Sequence, residues 1–293
     1  MRPTDGAPHL SMRLSERRGA GMLSSVSQRR GAPGGSREAL VGWTRIPRPR
    51  EADAAPGPHC TAAVPRLVFQ TWHRPRSELP AKVAATMHRC SRGFSYRYYD
   101  DNACEAYLER HYSPEHKAVF RRLRCGAHKA DFFRYCFLYR EGGIYMDIDL
   151  EPLETLDGIL QGLPAGTLVT CLELTGQGVF QAFIASPPRH PVFLELISEF
   201  FKPVVRSDSH EYGHFTRHMG LALRRRKGSL LRSGVQTMLD GSHLCLMKEM
   251  RRRGRHVPLH EHFVVLRDRT VFRSRYEGYR GSERRAGESR FEN

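Results

Sequence analysis

Apolar and polar positions change their spacing within one stretch near the middle of the chain, residues 130–152. Residues 130–140 are mostly aromatic or aliphatic and include neither Pro nor Gly, which predicts a buried helix. Glu141-Gly142-Gly143 predicts the end of that helix, because glycine readily adopts the left-handed backbone of a helix terminus. From Ile144 to Leu150 apolar and polar residues alternate, and this period predicts a strand.

Two carboxylates, Asp147 and Asp149, are predicted to leave that strand on the same side, near its end at Pro152. Neighbouring carboxylates repel each other, and a bound cation is the simplest means of holding them together. Oxygen ligands of this kind suit magnesium or manganese, which proteins often share with nucleotide phosphates. The alternative is a solvated strand end that carries two acidic residues and no metal.

The rest of the pattern alternates between the spacings of strands and helices. The predicted strands are Leu67–Phe69, Phe94–Asp101, 167–174 and Val257–Leu266, and the predicted helices are Leu79–Cys90, Asn102–His111, Pro114–Leu123 and Val192–Phe201. Asp101 or Asn102 is expected to cap the second of these helices, and Ser113 the third, with Pro114 in its first turn. This alternation predicts the α/β class, with a mostly parallel sheet flanked by helices.

Composition divides the chain into three parts. Residues 1–60 are rich in Gly, Pro, Ser and Arg and lack a periodic apolar face, which predicts a disordered basic tail or linker. Residues 61–272 form the predicted folded domain, and residues 273–293 a mobile basic C-terminal tail.

The net charge of +16 is concentrated outside the central stretch. Residues 1–60 contribute +5 and residues 217–293 contribute +11, so residues 61–216 are neutral overall. A basic periphery suits nucleotide phosphates, anionic lipid headgroups at a membrane surface, or nucleic acid. A nucleic-acid-binding protein is therefore one alternative, although no aromatic pattern of an RNA-binding sheet is present.

Cysteine spacing and hydropathy exclude several other classes. None of the seven cysteines forms a C-x-x-C pair, so a zinc site is not expected, and their spacing does not indicate a disulfide framework. One or two disulfides remain an open alternative for a luminal protein. The sequence contains no apolar run long enough to span a membrane and no apolar core of a signal peptide.

The central stretch resembles the D-x-D region of glycosyltransferase family 32, which includes initiating α-1,6-mannosyltransferases, inositol-phosphoceramide mannosyltransferases and α-1,4-galactosyltransferases. The residues that carry the resemblance are Ala127, Ala130, Asp131, Arg134, Leu138, Tyr139, Gly142, Gly143, Tyr145, Asp147 and Asp149. The resemblance extends over about residues 64–200, including Val64–Trp72, and fades beyond residue 202.

The resemblance implies a GT-A type fold and a metal-dependent enzyme that moves a hexose from a nucleotide sugar to a glycan or glycolipid, with retention at the anomeric carbon. The implied donors are GDP-mannose, UDP-galactose and UDP-glucose. The implied cofactor is a divalent metal, manganese first and magnesium as the alternative, with no organic cofactor. Family relatives also imply a Golgi or other endomembrane lumen. A relative that binds sugar nucleotide without turnover is a further alternative.

Roles for individual residues follow from the same resemblance. Asp131 and Arg134 share a helix face and are implied to bind the donor sugar and its phosphate side. The implied catalytic residues are Asp131, Arg134 and Asp147, the substrate-binding residues add Gln70, Trp72, Tyr145 and Gln181, and the metal ligands are Asp147 and Asp149. Trp72 is implied to stack on the base. His260 or His262 is an alternative third metal ligand, against the simpler interpretation of ordinary strand histidines.

Overall fold

The computed structural model describes residues 62–202, 213–251 and 261–275. The predicted N-terminal tail over residues 1–60 lies outside these residues, as do His260 and residues 276–293. The last described strand continues to Arg275, so the folded part extends three residues beyond the predicted domain end at residue 272.

Ten strands and seven α-helices make up the described part of the chain. The strands are β1 (Leu67–Thr71), β2 (Ser95–Tyr99), β3 (Gly143–Met146), β4 (Leu150–Pro152), β5 (Leu168–Leu172), β6 (Val179–Ser186), β7 (Gly234–Thr237), β8 (His243–Met250), β9 (Glu261–Leu266) and β10 (Arg269–Arg275). The helices are α1 (Ala81–Cys90), α2 (Asp101–His111), α3 (Pro114–Arg122), α4 (Gly126–Glu141), α5 (Leu156–Leu160), α6 (Pro191–Glu199) and α7 (His214–Lys227), with a short 3-10 helix at Arg76–Glu78.

All ten strands belong to one sheet, in the order β2-β1-β3-β6-β5-β8-β9-β10-β4, with β7 paired to β8. β1 pairs in parallel with β2 and β3, and β5 pairs in parallel with β8. β6 lies antiparallel between β3 and β5, so five of the first six strands in this order run the same way. The strands from β8 through β9 and β10 to β4 are joined by antiparallel pairs.

Helices cover both faces of this sheet, which confirms the predicted α/β class. Alternate residues of β1 face opposite cores, since Phe69 packs in the core with α2, α3, α4, α6 and α7, whereas Val68 packs in the core with α1 and α5. Helix α4 lies within the first core and buries every side chain from Asp131 to Tyr139. An apolar surface on all sides is typical of such a central helix.

The two glycines after α4 allow the chain to turn directly into β3. Gly142 is the residue after the helix and has a φ of +66°. A Cβ on Gly143 would lie 2.6 Å from the carbonyl oxygen of Leu67, because β3 passes close to β1 at this point. The predicted helix stop is therefore confirmed, and close backbone packing adds a second reason for glycine here.

Some predicted boundaries and caps are wrong in detail. The strand predicted to reach Leu150 ends at Met146, and a separate strand, β4, begins at Leu150. The alternating residues between them lie in a turn. The cap of α2 is Asp100, whose carboxylate accepts from the backbone N–H of Ala103, rather than Asp101 or Asn102. Ser113 occupies the cap position of α3 but bonds to the imidazole of His116 instead of a backbone N–H.

Within the described residues, six cysteines are present and each is a free thiol. No helix in this part of the chain combines the length and the apolar character needed to cross a membrane.

His190 provides a test of the packing around α6. Its Nδ1 accepts from the backbone N–H of Val192, and burial lowers the pKa of the imidazole to about 4. The unfolded chain therefore binds more protons between pH 4 and 6.5, and folding stability should fall as pH falls through this window. Because of His190, the unfolding free energy of the wild type should be about 2 kcal/mol lower at pH 5 than at pH 7. We expect His190→Asn, which keeps a cap acceptor, to lack this decrease.

Denaturant unfolding at the two pH values measures this difference. The exposed His88 on α1, changed to Asn, is the matched control. An unchanged pH dependence in His190→Asn would contradict the inferred neutral, capping state of His190.

Candidate active site

The acidic pair lies in a turn at the end of β3. Asp147 still bonds through its backbone N–H to the carbonyl of Ala182 on β6, and its own carbonyl accepts from the N–H of Leu150 at 3.2 Å. The chain then enters β4, which pairs with β10 rather than continuing beside β6. Asp147 and Asp149 are therefore loop residues at the point where β3 leaves the sheet, and not strand residues as predicted.

The Asp131–Arg134 pair lies beside this turn and is buried, as the sequence indicated. The two residues are 6% and 4% exposed, and the Arg134 Nη2 lies 2.8 Å from the Asp131 Oδ1. The Arg134 Nη1 donates to the carbonyl of Gln181 at 2.7 Å and lies 3.9 Å from the Asp147 Oδ1. The guanidinium also lies over the Tyr145 ring, 4.3 Å from its centroid.

The electrostatics of the site indicate a surplus of negative charge. Removal of bulk water by the surrounding protein raises the pKa of Asp149, although its side chain opens to the cavity, and the neighbouring Asp147 carboxylate raises it further. Burial raises the pKa of Asp131 to about 6, while Arg134 acts in the opposite direction. The Tyr145 hydroxyl donates to Asp147 Oδ1. Three carboxylates thus share the cavity wall with one buried guanidinium, and a further cation would relieve their repulsion.

These groups line a cavity of about 770 Å³, within the size range of sites for small-molecule ligands. Its wall includes Trp72, His73, Lys129, Asp131, Arg134, Tyr145, Asp147, Asp149, Glu173, Gln181, Glu249, His262 and Ser274. Trp72 follows β1 directly and is half-buried, with Arg74 positioned over its indole. The cavity therefore opens beyond the carboxyl ends of β1 and β3, where open α/β sheets bind ligands.

Two residues predicted to bind substrate form side-chain hydrogen bonds within the protein. The Gln70 amide donates to the carbonyl of Asp147 at 3.2 Å and accepts from the Tyr96 hydroxyl at 2.9 Å. Gln181 accepts from the Tyr135 hydroxyl at 2.6 Å and donates to the carbonyl of Phe215 at 2.9 Å. Gln70 thus supports the acidic turn from behind, and Gln181 joins α4 and α7 to β6. The substrate-binding role predicted for both residues stays a prediction.

Strand β9 places His262, the alternative third metal ligand of the sequence analysis, at the cavity. His262 on β9 lines the cavity, and its Nδ1 lies 2.7 Å from Glu249 on β8. Within residues 62–202, 213–251 and 261–275, no three His, Cys, Asp or Glu side chains come together as a metal-binding group. The described structure therefore does not join His262 to the aspartates, and His260 lies outside it.

Sequence reasoning missed Lys129, Glu173 and Glu249 as cavity residues. They come from α4 and from the ends of β5 and β8, which are far apart in sequence. Glu249 lies near the end of β8, beyond the apolar run Leu244–Met247, and that position at a strand end was the one signal available.

Comparison with known proteins shows which protein family the stretch around the acidic turn resembles. Residues 81–164 match the model of the family described as "Glycosyltransferase sugar-binding region containing DXD motif". This stretch contains α4, the glycine turn and the acidic turn. Residues 81–164 are therefore similar to a glycosyltransferase sugar-binding region of the DXD type, and the resemblance inferred from the sequence is confirmed.

Three individual proteins are similar to part of this chain. "Uncharacterized glycosyltransferase L373" of Acanthamoeba polyphaga mimivirus is 29% identical over 145 residues, which are 47% of this chain and 56% of that protein. "Inositol phosphoceramide mannosyltransferase 3" of Schizosaccharomyces pombe (strain 972 / ATCC 24843) is 26% identical over 140 residues, 47% of this chain and 37% of that protein. "Initiation-specific alpha-1,6-mannosyltransferase" of Candida albicans (strain SC5314 / ATCC MYA-2876) is 30% identical over 100 residues, 32% of this chain and 26% of that protein.

The matched stretches span only about a quarter to a little over half of these relatives. Among solved structures, "PaToxG Glycosyltransferase" aligns with a TM-score of 0.39 and 16% identity, over 56% of this chain and 69% of that chain.

The buried ion pair allows a stability test that is independent of any ligand. Arg134→Met removes the cation and leaves Asp131 buried without its partner, so we expect the unfolding free energy to fall by about 3–5 kcal/mol. The double variant Asp131→Leu/Arg134→Met should recover most of this loss, because no buried charge is left unpaired. Denaturant unfolding at pH 7 measures both.

The matched control is Arg225→Met, which breaks a largely exposed pair with Glu195 and should change little. A double variant no more stable than Arg134→Met would show that the loss arises from packing and not from the unpaired charge.

Proposed function

We propose that this chain is a metal-dependent glycosyltransferase of the GT-A type that moves a hexose from a nucleotide sugar to a hydroxyl acceptor, with retention. The observation that carries the proposal is the placement of the acidic turn beside the buried Asp131–Arg134 pair in one cavity wall. Carboxylates for a cation, a guanidinium for anionic oxygens and an aromatic side chain for a base meet in this cavity.

The residues present fit a divalent metal shared with a diphosphate. Asp147 and Asp149 offer hard oxygen ligands, and desolvation, with the neighbouring Asp147 carboxylate as a second cause, raises the pKa of Asp149. Magnesium and manganese are commonly held by one or two carboxylates together with substrate phosphates and water. When bound, such a metal would neutralise charge on the departing nucleoside diphosphate. Manganese is our first choice and magnesium the alternative.

The protein's own groups would bind and orient the donor. Arg134 is held by Asp131, the Gln181 carbonyl and the Tyr145 ring, so its fork is rigid before any ligand arrives. A fixed guanidinium binds oxygen atoms of a phosphate or sugar with little loss of side-chain entropy. Asp131 would accept from sugar hydroxyls, Tyr145 would keep Asp147 oriented, and Trp72 would stack on the base.

The names of the similar proteins direct the choice of substrates. Two of the relatives described above are named mannosyltransferases, so GDP-mannose is the first donor to test, followed by UDP-galactose and UDP-glucose. A glycan or glycolipid is the proposed acceptor, because one of these proteins is named for inositol phosphoceramide. By the same similarity we propose an endomembrane lumen such as the Golgi as the location.

Removal of Asp149 tests the metal site. We expect Asp149→Asn to lose the thermal stabilisation that GDP-mannose and manganese together give the wild-type chain, because a ligand raises the melting temperature only if it binds the folded state. Donor turnover should fall at least about 100-fold. Thermal-shift and donor-hydrolysis assays with and without manganese measure the two effects.

The matched control is Asp157→Asn, which changes an exposed aspartate paired with Arg66. Unaltered metal-dependent binding in Asp149→Asn would refute the metal assignment.

Trp72 provides a test of base recognition at a residue outside the proposed metal ligands, with manganese present in every titration. Stacking of a base on an aromatic side chain is worth about 1–3 kcal/mol, so Trp72→Ala should weaken binding of GDP or UDP by about 10-fold or more. Trp72→Phe should keep most of the affinity, because an aromatic face remains. Calorimetric titration measures both, and equal affinities for the alanine variant and the wild type would exclude a stacking role.

A further inference from the structure

A buried acidic residue and a histidine form a second polar centre in the same cavity, apart from the acidic turn. The Glu249 side chain is 6% exposed and that of His262 is 13% exposed. Glu249 lies opposite Val264 in the β8–β9 pairing, so His262 is its diagonal neighbour on the same sheet face. Neither Glu249 nor His262 is among the residues proposed above to bind the nucleotide sugar or the metal.

Both carboxylate oxygens of Glu249 are engaged. Oε1 lies 2.7 Å from the His262 Nδ1, and Oε2 accepts from the backbone N–H of Leu174 at 2.8 Å. Leu174 follows β5, so the carboxylate is fixed by one strand end while it holds an imidazole on another strand. A histidine bonded in this way has a defined ring orientation and tautomer. The arrangement therefore positions the imidazole in the cavity wall.

The sheet register places His262 at a useful distance from the acidic turn. Leu150, which follows Asp149, pairs with Ser274, and Ser274 pairs with His262. Two strand spacings therefore separate His262 from the end of the turn, about 10 Å across the sheet. Ser274 and His262 both line the cavity. The two polar centres are therefore separate places in the wall of one cavity.

We propose that His262, oriented by Glu249, binds a hydroxyl of a polyol acceptor, such as a sugar or inositol ring, on the side of the cavity opposite Trp72. The inference rests on the proposed function, because it assigns the acceptor side of the same cavity. An imidazole can donate to or accept from a hydroxyl, and a ring held in place loses little entropy when it does so. Glu249 acts through His262 and is a positioning residue. The half-buried Glu173 lines the same side and would accept from a second hydroxyl.

The test uses the full chain with two free polyols as probes, methyl α-D-mannopyranoside and myo-inositol. Saturation-transfer NMR measures polyol binding with no donor present, and kinetics with GDP-mannose and manganese measure the acceptor KM. We expect His262→Ala to raise the acceptor Kd and KM by about 10-fold or more, the loss of a hydrogen bond in a site built for it. Donor hydrolysis and the donor-induced thermal shift should stay unchanged.

Two further variants separate positioning from simple structural damage. His262→Gln carries an amide that reaches near the place of Nε2, so it should recover part of the acceptor affinity. Glu249→Gln keeps an acceptor for the Leu174 N–H but changes the bond to Nδ1, and its acceptor KM should lie between those of the wild type and His262→Ala. The exposed His88 on α1, changed to Ala, is the matched control.

The outcomes distinguish this inference from the proposed function. A wild-type chain that binds a probe polyol, with binding lost in His262→Ala, supports the acceptor site even if no donor binds. An unchanged polyol affinity in His262→Ala, or no polyol binding by the wild type, overturns it. Loss of donor binding in His262→Ala also overturns it, because the residue would then belong to the donor or metal site. Failure of every nucleotide sugar to bind the wild type counts against the proposed function alone.

Discussion

The Asp131–Arg134 pair is the interaction on which the rest of the site depends. A guanidinium that is 4% exposed requires compensation on all sides, because a buried charge without partners is strongly unfavourable. Its partners come from the helix α4 itself, from the backbone of β6 and from the ring of Tyr145 on β3. Satisfying one charge therefore fixes the relative position of three elements. The acidic turn begins two residues after Tyr145, so its geometry follows from the same requirement.

The shape of the cavity follows from how strands leave the sheet. β3 ends at Met146 beside β6, and the chain crosses to β4 at the far end of the strand order. β8 is bordered by β7 along its first half and by β9 along its second half, so β9 and β10 extend past the end of β5. The cavity lies between the place where β3 leaves the sheet and the place where the partner of β8 changes from β7 to β9. One side of the cavity, which is the proposed donor side, is formed by α4, β1 and the acidic turn, and the other side by the ends of β5, β8 and β9.

Charge is distributed in keeping with this arrangement. The central stretch is neutral overall, so under the proposed function the recognition of anionic groups would depend on a few placed side chains and on a cation rather than on a diffuse basic field. The carboxylates of Asp131, Asp147 and Asp149 share the cavity wall with the Arg134 guanidinium, so we expect the site to favour added cationic charge. A diphosphate alone would add further negative charge, which is why metal and nucleotide are expected to bind together.

The sequence alone determined the elements whose cause is local. The apolar run of α4, the glycines that end it and the short spacing to Asp147 and Asp149 are read directly from residue types and periods, as is the burial of Asp131 and Arg134 among aromatic neighbours. The tertiary structure alone decided where β3 ends, because alternation does not stop when a strand changes partner. It also decided that Gln70 and Gln181 bond within the protein, and that Glu249 meets His262 in the cavity. Those outcomes depend on which strands become neighbours, and strand pairing between distant segments is set by the packing of the whole sheet.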